Sequence, residues 1–419
     1  MRRHKSTISS HVFAIVALLY SVCGTAAEKG FPELSFKWLF DARALTSDSQ
    51  PSWLNDGLGK GRYDQSDPLL ELSEISLVAE ADFNWQWQGF THLKYDPEQD
   101  QAIDLVEAYV RFNPVPDGDI RYRIRAGLLF PHISRENRGL AWTSPFSITP
   151  SAINSWIGEE IRTLALEGSA THRQGPWKMT ATAAIFGFND PAGSLLAYRG
   201  WAMHDLKVGA FSRVPLPPLS SIGSPSAFSP QPLWVDPVRE VDNRPGFYGA
   251  LDWEYQRKHK FGVFFYDNRG DPEVFKRSQY AWDTHFWNLY FETKLPASTL
   301  LIAQYMTGRT QMGPESGGAR QVDVDFEGAY LLATKQLGNN RVTLRRDWFD
   351  ADDNSFVSID NNGETGSAWT LAWSHKLQKN SRLIAEFIRI DSRRPNRADL
   401  GLAARQTEQQ FQLSYRLSL

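Results

Sequence analysis

Three arginines, Arg121, Arg123 and Arg125, alternate with Tyr122, Ile124 and Ala126. On a strand, residues two apart share one face about 6.6 to 6.8 Å from each other, and within a Debye length of roughly 8 Å at physiological salt their potentials overlap. Such a row attracts an anion in passage. Other charges that alternation would place on the same kind of face are mixed in sign: Lys37 and Arg43 beside Asp41, Arg111 beside Glu107, and Arg345 beside Asp347. Two uses therefore stay open for these pore-lining candidates. One is the basic half of a constriction that guides anionic or zwitterionic solutes; the other is a general balance of basic against acidic groups that orders water in a pore.

A second group, Arg135, Glu136, Arg138, Trp142 and Trp156, lies within residues 130–159, a long connection expected to narrow the channel. Within it, Ser151 to Glu160 reads as a short helix capped by Ser151. Covering the mouth, or touching a neighbouring subunit, is the rival use. Asp347, Asp350, Asp352 and Asp353 offer closely spaced carboxylates suited to a hard cation, although a solvated loop explains them better. No Gly-x-Ser-x-Gly or His-Glu-x-x-His motif is present, and the adjacent Ser374 and His375 would point to opposite faces of a strand. The reading is therefore of a non-enzyme: no catalytic set, no metal set and no cofactor.

These side chains need a scaffold that puts water inside and lipid outside. Arg2, Arg3 and Lys5, then an apolar Val12 to Val22, then Thr25-Ala26-Ala27, form a secretory signal peptide over 1–27. Cys23, the single cysteine, leaves with it, and Val22 before it does not suit lipidation. Residues 28–419 then form one domain. Aromatic residues reach 13%, with 15 Trp, 14 Tyr and 25 Phe, while mean hydropathy is −0.42. Aromatic girdles around a polar interior reconcile the two; an aromatic-rich periplasmic carbohydrate-binding protein is the competing class. A formal net charge of −3 gives no reason to expect nucleic acid.

Period-two alternation decides for the barrel. Phe411, Leu413, Tyr415, Leu417 and Leu419 oppose Gln412, Ser414, Arg416 and Ser418, and Val106, Ala108, Val110 and Phe112 oppose Glu107 and Arg111. Repeated along the chain, the pattern predicts an all-β, transmembrane antiparallel barrel of about sixteen strands, from 33–44 to 404–419, with short periplasmic turns and long extracellular loops. The loops include Thr310 to Asp323 and the Pro-rich 189–245, in which Leu206 to Phe211 is a strand-like stretch that does not span.

The sequence also resembles the phosphate-selective porin O and P group and the porin-like proteins related to it. Ile124-Arg-Ala-Gly-Leu-Leu-Phe-Pro131, Ser151-Ala-Ile-Asn-Ser-Trp-Ile-Gly-Glu-Glu160, Gln304-Tyr-Met-Thr-Gly-Arg309 and Asp347-Trp-Phe-Asp-Ala-Asp-Asp-Asn354 carry the resemblance. It implies a sixteen-stranded barrel, a homotrimer and a loop folded into the pore. The family's lysine cluster is absent, so phosphate selectivity does not carry over. The expected function is passive diffusion of small hydrophilic solutes, anionic ones among them, across the outer membrane, with lipid and lipopolysaccharide as surroundings. A barrel enzyme, or a surface anchor without an open pore, is the alternative.

Overall fold

The computed structural model describes residues 30–419 except Pro68, Asp117, Ser224, Pro225, Ser229 and Ser358; the expected signal peptide lies outside the described residues. Alternating sequences pair into one closed antiparallel barrel of sixteen strands, each bonded to its neighbours in chain order, with the last returning to the first. They are β1 (Glu33–Ser47), β2 (Leu70–Asp82), β3 (Trp87–Tyr95), β4 (Ile103–Phe112), β5 (Ile120–Leu129), β6 (Thr163–Gln174), β7 (Trp177–Gly187) and β8 (Gly246–Tyr255). The second half comprises β9 (His259–Asp267), β10 (Asp283–Leu295), β11 (Thr299–Ser316), β12 (Ala319–Leu337), β13 (Asn340–Asp353), β14 (Glu364–Lys376), β15 (Ser381–Arg393) and β16 (Arg405–Ser418). Closure by pairing Leu39 to Ser47 with Gln410 to Ser418 leaves no sheet edge, as a strand-built membrane wall requires. No helix among the described residues is long and apolar enough to span a membrane.

The outer wall carries the apolar face of the alternation. Phe36, Trp38, Leu289, Leu331, Leu371 and Phe411 are all exposed there, which is where lipid would cover them. One expected outward residue turns in. Val106 is the extra residue of a bulge, since the register jumps from Glu107–His92 to Leu105–Leu93, and it is fully buried in the same interior cluster as Leu129 and Phe130. Strict alternation cannot anticipate a two-against-one pairing.

The turns at Gly175–Pro176 and Gly338–Asn339 are short, and the extracellular connections 48–69, 130–162 and 188–245 are long. The expected loop Thr310 to Asp323 is instead the top of a hairpin: β11 and β12 run on to Ser316 and Ala319 and join through Gly317–Gly318. Both glycines have positive φ, 64° and 86°, the backbone a two-residue hairpin turn demands. β13 likewise continues to Asp353, so the acidic run belongs to a strand and is divided between its faces: Asp347 is buried inside, while Asp350 and Asp352 stand outside, opposite Glu327 and Asp325.

Two loops do not stay at the mouth. Residues 130–162 contain helix α1 (Ala152–Glu160), capped by the Ser151 side chain on the Asn154 amide, and residues 188–245 contain the short helix α2 (Ser194–Tyr198). Leu206 to Phe211 forms no strand. Both loops enter the barrel. Trp156 of α1 packs edge-on against Phe286 and Phe326 of the wall and against Trp201. The wall makes room at Gly328, where a Cβ would lie 3.1 Å from both Ile153 and Trp201.

Candidate functional site

The interior has two layers. In the extracellular half, charges from the wall meet charges from the loops and little water reaches either. Arg43 of β1 pairs with Asp41 (2.8 Å) and with Asp205 of the 188–245 loop. Lys207 of that loop reaches Glu74 of β2 at 2.6 Å. From the first loop, Lys60 pairs with Glu364 of β14, and Arg62 holds Asp96 at 2.8 Å, Glu98 at 2.6 Å and Asp205 at 3.3 Å. Arg394 joins Glu364 at 3.3 Å and donates to the carbonyls of Ala197 and Tyr198. Lys60, Glu74, Arg199, Lys207 and Arg394 are all buried.

The two inserted loops are fastened to each other by α1. Glu159 accepts from Arg199 at 2.7 Å and lies 3.1 Å from His204, and those neighbours hold its carboxyl down at about 2 despite burial, which acts in the opposite sense. Burial pushes the Glu160 carboxyl up to about 7, although it accepts from Trp156, Ser194 and the Leu195 amide. Burial likewise lowers His204, against the pull of Glu159.

Arg345 and Glu136 tie the 130–162 loop to the wall. The Arg345 guanidinium meets Glu136 at 3.0 Å and Asp347 at 2.7 Å and donates to the carbonyls of Thr149 and Pro150. Glu386 of β15 accepts from the Ile148 and Thr149 amides. The loop starts after β5, so these contacts take it across the lumen. On the way Arg135 pairs with Asp252 at 2.7 Å and lies 3.3 Å from the Tyr290 ring centroid, and Arg138 pairs with Glu292 at 2.8 Å. Trp142 stacks on Phe130 at 4.3 Å.

The periplasmic half is different. Arg121, Arg123 and Arg125 share the interior face of β5, and register sets them opposite Thr171, Ser169 and Glu167 of β6. Arg125 makes a two-pronged pair with Glu167, 2.7 Å on each side. Arg123 donates to Asn113 at 3.2 Å. Arg111 faces Arg125 across the β4–β5 ladder. Among the described residues no carboxylate lies within ion-pair distance of Arg111, Arg121 or Arg123. Arg173 and Lys178 follow on the same face of β6 and β7 with Glu254 beyond them. Lys37 is paired with Glu80 at 2.6 Å and remains half exposed.

The sequence candidates therefore separate. Arg111, Arg121, Arg123, Arg125 and Lys37 line the periplasmic half. Arg43, Glu107 and Arg345 face inward but are covered by loops; Glu107 accepts the Phe130 amide at 3.0 Å. Arg135, Glu136, Arg138, Trp142 and Trp156 all lie in the crossing loop, with Glu136 and Trp156 buried. Sequence reasoning missed Lys60, Arg62, Asp205, Lys207, Arg199 and His204, which sit in aperiodic loops where no spacing rule assigns a face.

Neither a protein-family profile nor a curated protein matches the sequence. Solved structures do. The outer membrane channel DcaP of Acinetobacter baumannii superposes with a TM-score of 0.57 at 9% identity, covering 94% of this chain and 99% of that one. A loop-L8 deletion mutant of OmpT, an outer membrane protein of Vibrio cholerae, gives 0.50 at 8% identity, covering 92% and 99%. At such identities the likeness is one of fold, and the fold is the closed sixteen-stranded barrel of outer-membrane proteins.

Proposed function

We propose that this chain is a porin-like channel of the outer membrane, exported through a cleaved signal peptide over 1–27, that passes small hydrophilic solutes and favours anions. The observation that carries the reading is the periplasmic half of the interior, where Arg111, Arg121 and Arg123 line an accessible wall without carboxylate partners among the described residues. Positive groups fixed on a low-dielectric wall focus attraction on a passing anion. The neighbouring DcaP is itself described as a channel. The resemblance to the phosphate-selective porin O and P group supports the same class and a homotrimer. Lipid and lipopolysaccharide surround the barrel, and no cofactor enters this reading.

One observation favours a second reading, a barrel that anchors or bridges surface structures without an open pore. The loops fill the extracellular half with buried ion pairs, so conduction requires them to move. Planar-bilayer recording of the purified protein in a salt gradient separates the two. Discrete steps with a reversal potential of anion preference support the channel; absence of any steps from correctly folded protein favours the anchor.

A further inference from the structure

Inward-facing Arg345 has an outward-facing neighbour, Arg346, on the side of the wall where alternation otherwise puts apolar groups. From Val342 to Trp348 the outward residues of β13 are Val342, Leu344, Arg346 and Trp348, and the register places Leu371 beside Leu344 and Trp369 beside Arg346. An arginine facing lipid is costly at the bilayer midplane and far better tolerated near an interface. Its surroundings mark an interface. The row toward the periplasm is Leu344, Leu371 and Phe387; two rows toward the cell exterior it becomes Asp350, Thr365, Arg393 and Arg405.

Arg346 is built into a small site. Its guanidinium lies 4.9 Å from the Trp369 ring centroid and 5.6 Å from that of Trp348, and it donates to the Ser367 hydroxyl at 2.8 Å. Among the described residues it has no carboxylate within ion-pair distance. On the other side of Trp369 the register places Arg389, which shares Asp391 (3.2 Å) with the Thr407 hydroxyl (2.6 Å). Two guanidinium groups thus flank an interfacial tryptophan with one carboxylate, Asp391, between them, paired to Arg389 and set opposite the Ser367 that Arg346 holds, so the pair keeps a net positive charge above bare leucine and phenylalanine on the membrane side.

We propose that Arg346, Trp369 and Arg389 bind the phosphate of a phosphorylated glycolipid in the outer leaflet, with its acyl chains along Leu344, Leu371 and Phe387. The chemistry selects this ligand. A guanidinium recognises phosphate with paired, charge-assisted bonds, tryptophan sits at headgroup level, and only an amphiphile satisfies the cation and the apolar wall together.

The test uses the full-length protein in detergent, checked for folding by heat-modifiable gel migration. It is titrated with bis-phosphorylated lipid A, with the same lipid after phosphatase treatment, and with inorganic phosphate, and bound lipid is counted by native mass spectrometry. The phosphorylated lipid is expected to bind about tenfold more tightly than the dephosphorylated one, Arg346→Gln with Arg389→Gln should remove that difference, and inorganic phosphate should not bind at comparable concentration. Equal binding of the two lipids by wild-type protein overturns the proposal without recourse to any variant. So does an unchanged preference in a folded double variant. If the double variant loses its oligomeric state but keeps the lipid preference, the row is a subunit contact and the proposal is again overturned.

Discussion

The two halves of the barrel interior use the same side chains to opposite ends. Near the cell exterior, Arg43, Arg62, Arg345 and Arg394 each meet carboxylates at close range and are buried. Near the periplasm, Arg111, Arg121 and Arg123 meet none within ion-pair distance among the described residues. Burial explains the contrast. A charge withdrawn from water must be paired or it costs several kcal/mol, so the loops that enter the barrel bring Asp205, Lys207, Glu136 and Glu159 to match the wall. Where no loop enters, water solvates the arginines, and their field stays available to a solute. Ion pairing in the outer layer thus specifies where the loops dock, whereas on the proposed channel reading the charge of the inner layer would set selectivity.

The largest effect should come from breaking the sealed layer at its best-connected cation. Arg345→Ala leaves Glu136 and Asp347 buried without their partner, a loss of about 3 to 5 kcal/mol, and should release the crossing loop. Limited proteolysis is expected to cut within residues 130–162 in the variant and not in the wild type; equal resistance would show that the remaining Glu386 and Arg138 contacts suffice. Removing residues 194–207, the inserted part of the long loop, should come next: single-channel conductance or open probability should rise several-fold while the barrel still shows heat-modifiable migration. Unchanged conductance would place the barrier in the crossing loop alone.

The inner layer predicts a different signature. Replacing Arg121, Arg123 and Arg125 by Ser or Gln should lower the anion-to-cation permeability ratio without altering assembly, because interior substitutions tune selectivity while lipid-facing ones set stability. An unchanged reversal potential in a folded triple variant would remove the distinction drawn between the layers. The smallest expected effect is one of pH. Burial raises Glu160 from an ordinary carboxyl to about 7, so its contribution to holding the loops together is fully present below the unfolded value near 4.5 and is lost as pH rises through about 7. Its neighbours Arg199 and His204 keep Glu159 at about 2, so that carboxylate stays ionised throughout this window. Open probability should therefore increase modestly from pH 6 to pH 8, and Glu160→Gln should flatten the dependence; a steeper dependence in the variant would assign it to another group.

Much of the barrel was legible because its wall obeys a period of two. The strand around Arg121 to Arg125 and the terminal strand from Phe411 were read from alternation, as was the helix after Ser151 from its capping residue. The failures have specific causes. Val106 turned inward because a bulge shifts the phase by one residue, and 310–323 proved to be a hairpin because polar residues such as Gln311 and Asp323 remain compatible with a wall that rises beyond lipid. The acidic run at Asp347 was split by the same alternation once its strand was seen to continue.

What the sequence determined by itself was the division of each strand into an apolar and a polar face, since that is a local property of a pleated chain with side chains alternating across it. It determined the arginine row for the same reason. Only the tertiary structure decided which polar faces remain open to water. That depends on where residues 130–162 and 188–245 come to rest, and their positions are set by contacts such as Arg345 with Glu136 and Lys207 with Glu74, between residues 209 and 133 positions apart in the chain. No periodicity links such residues; they meet because the closed barrel presents buried charge that the entering loops must match.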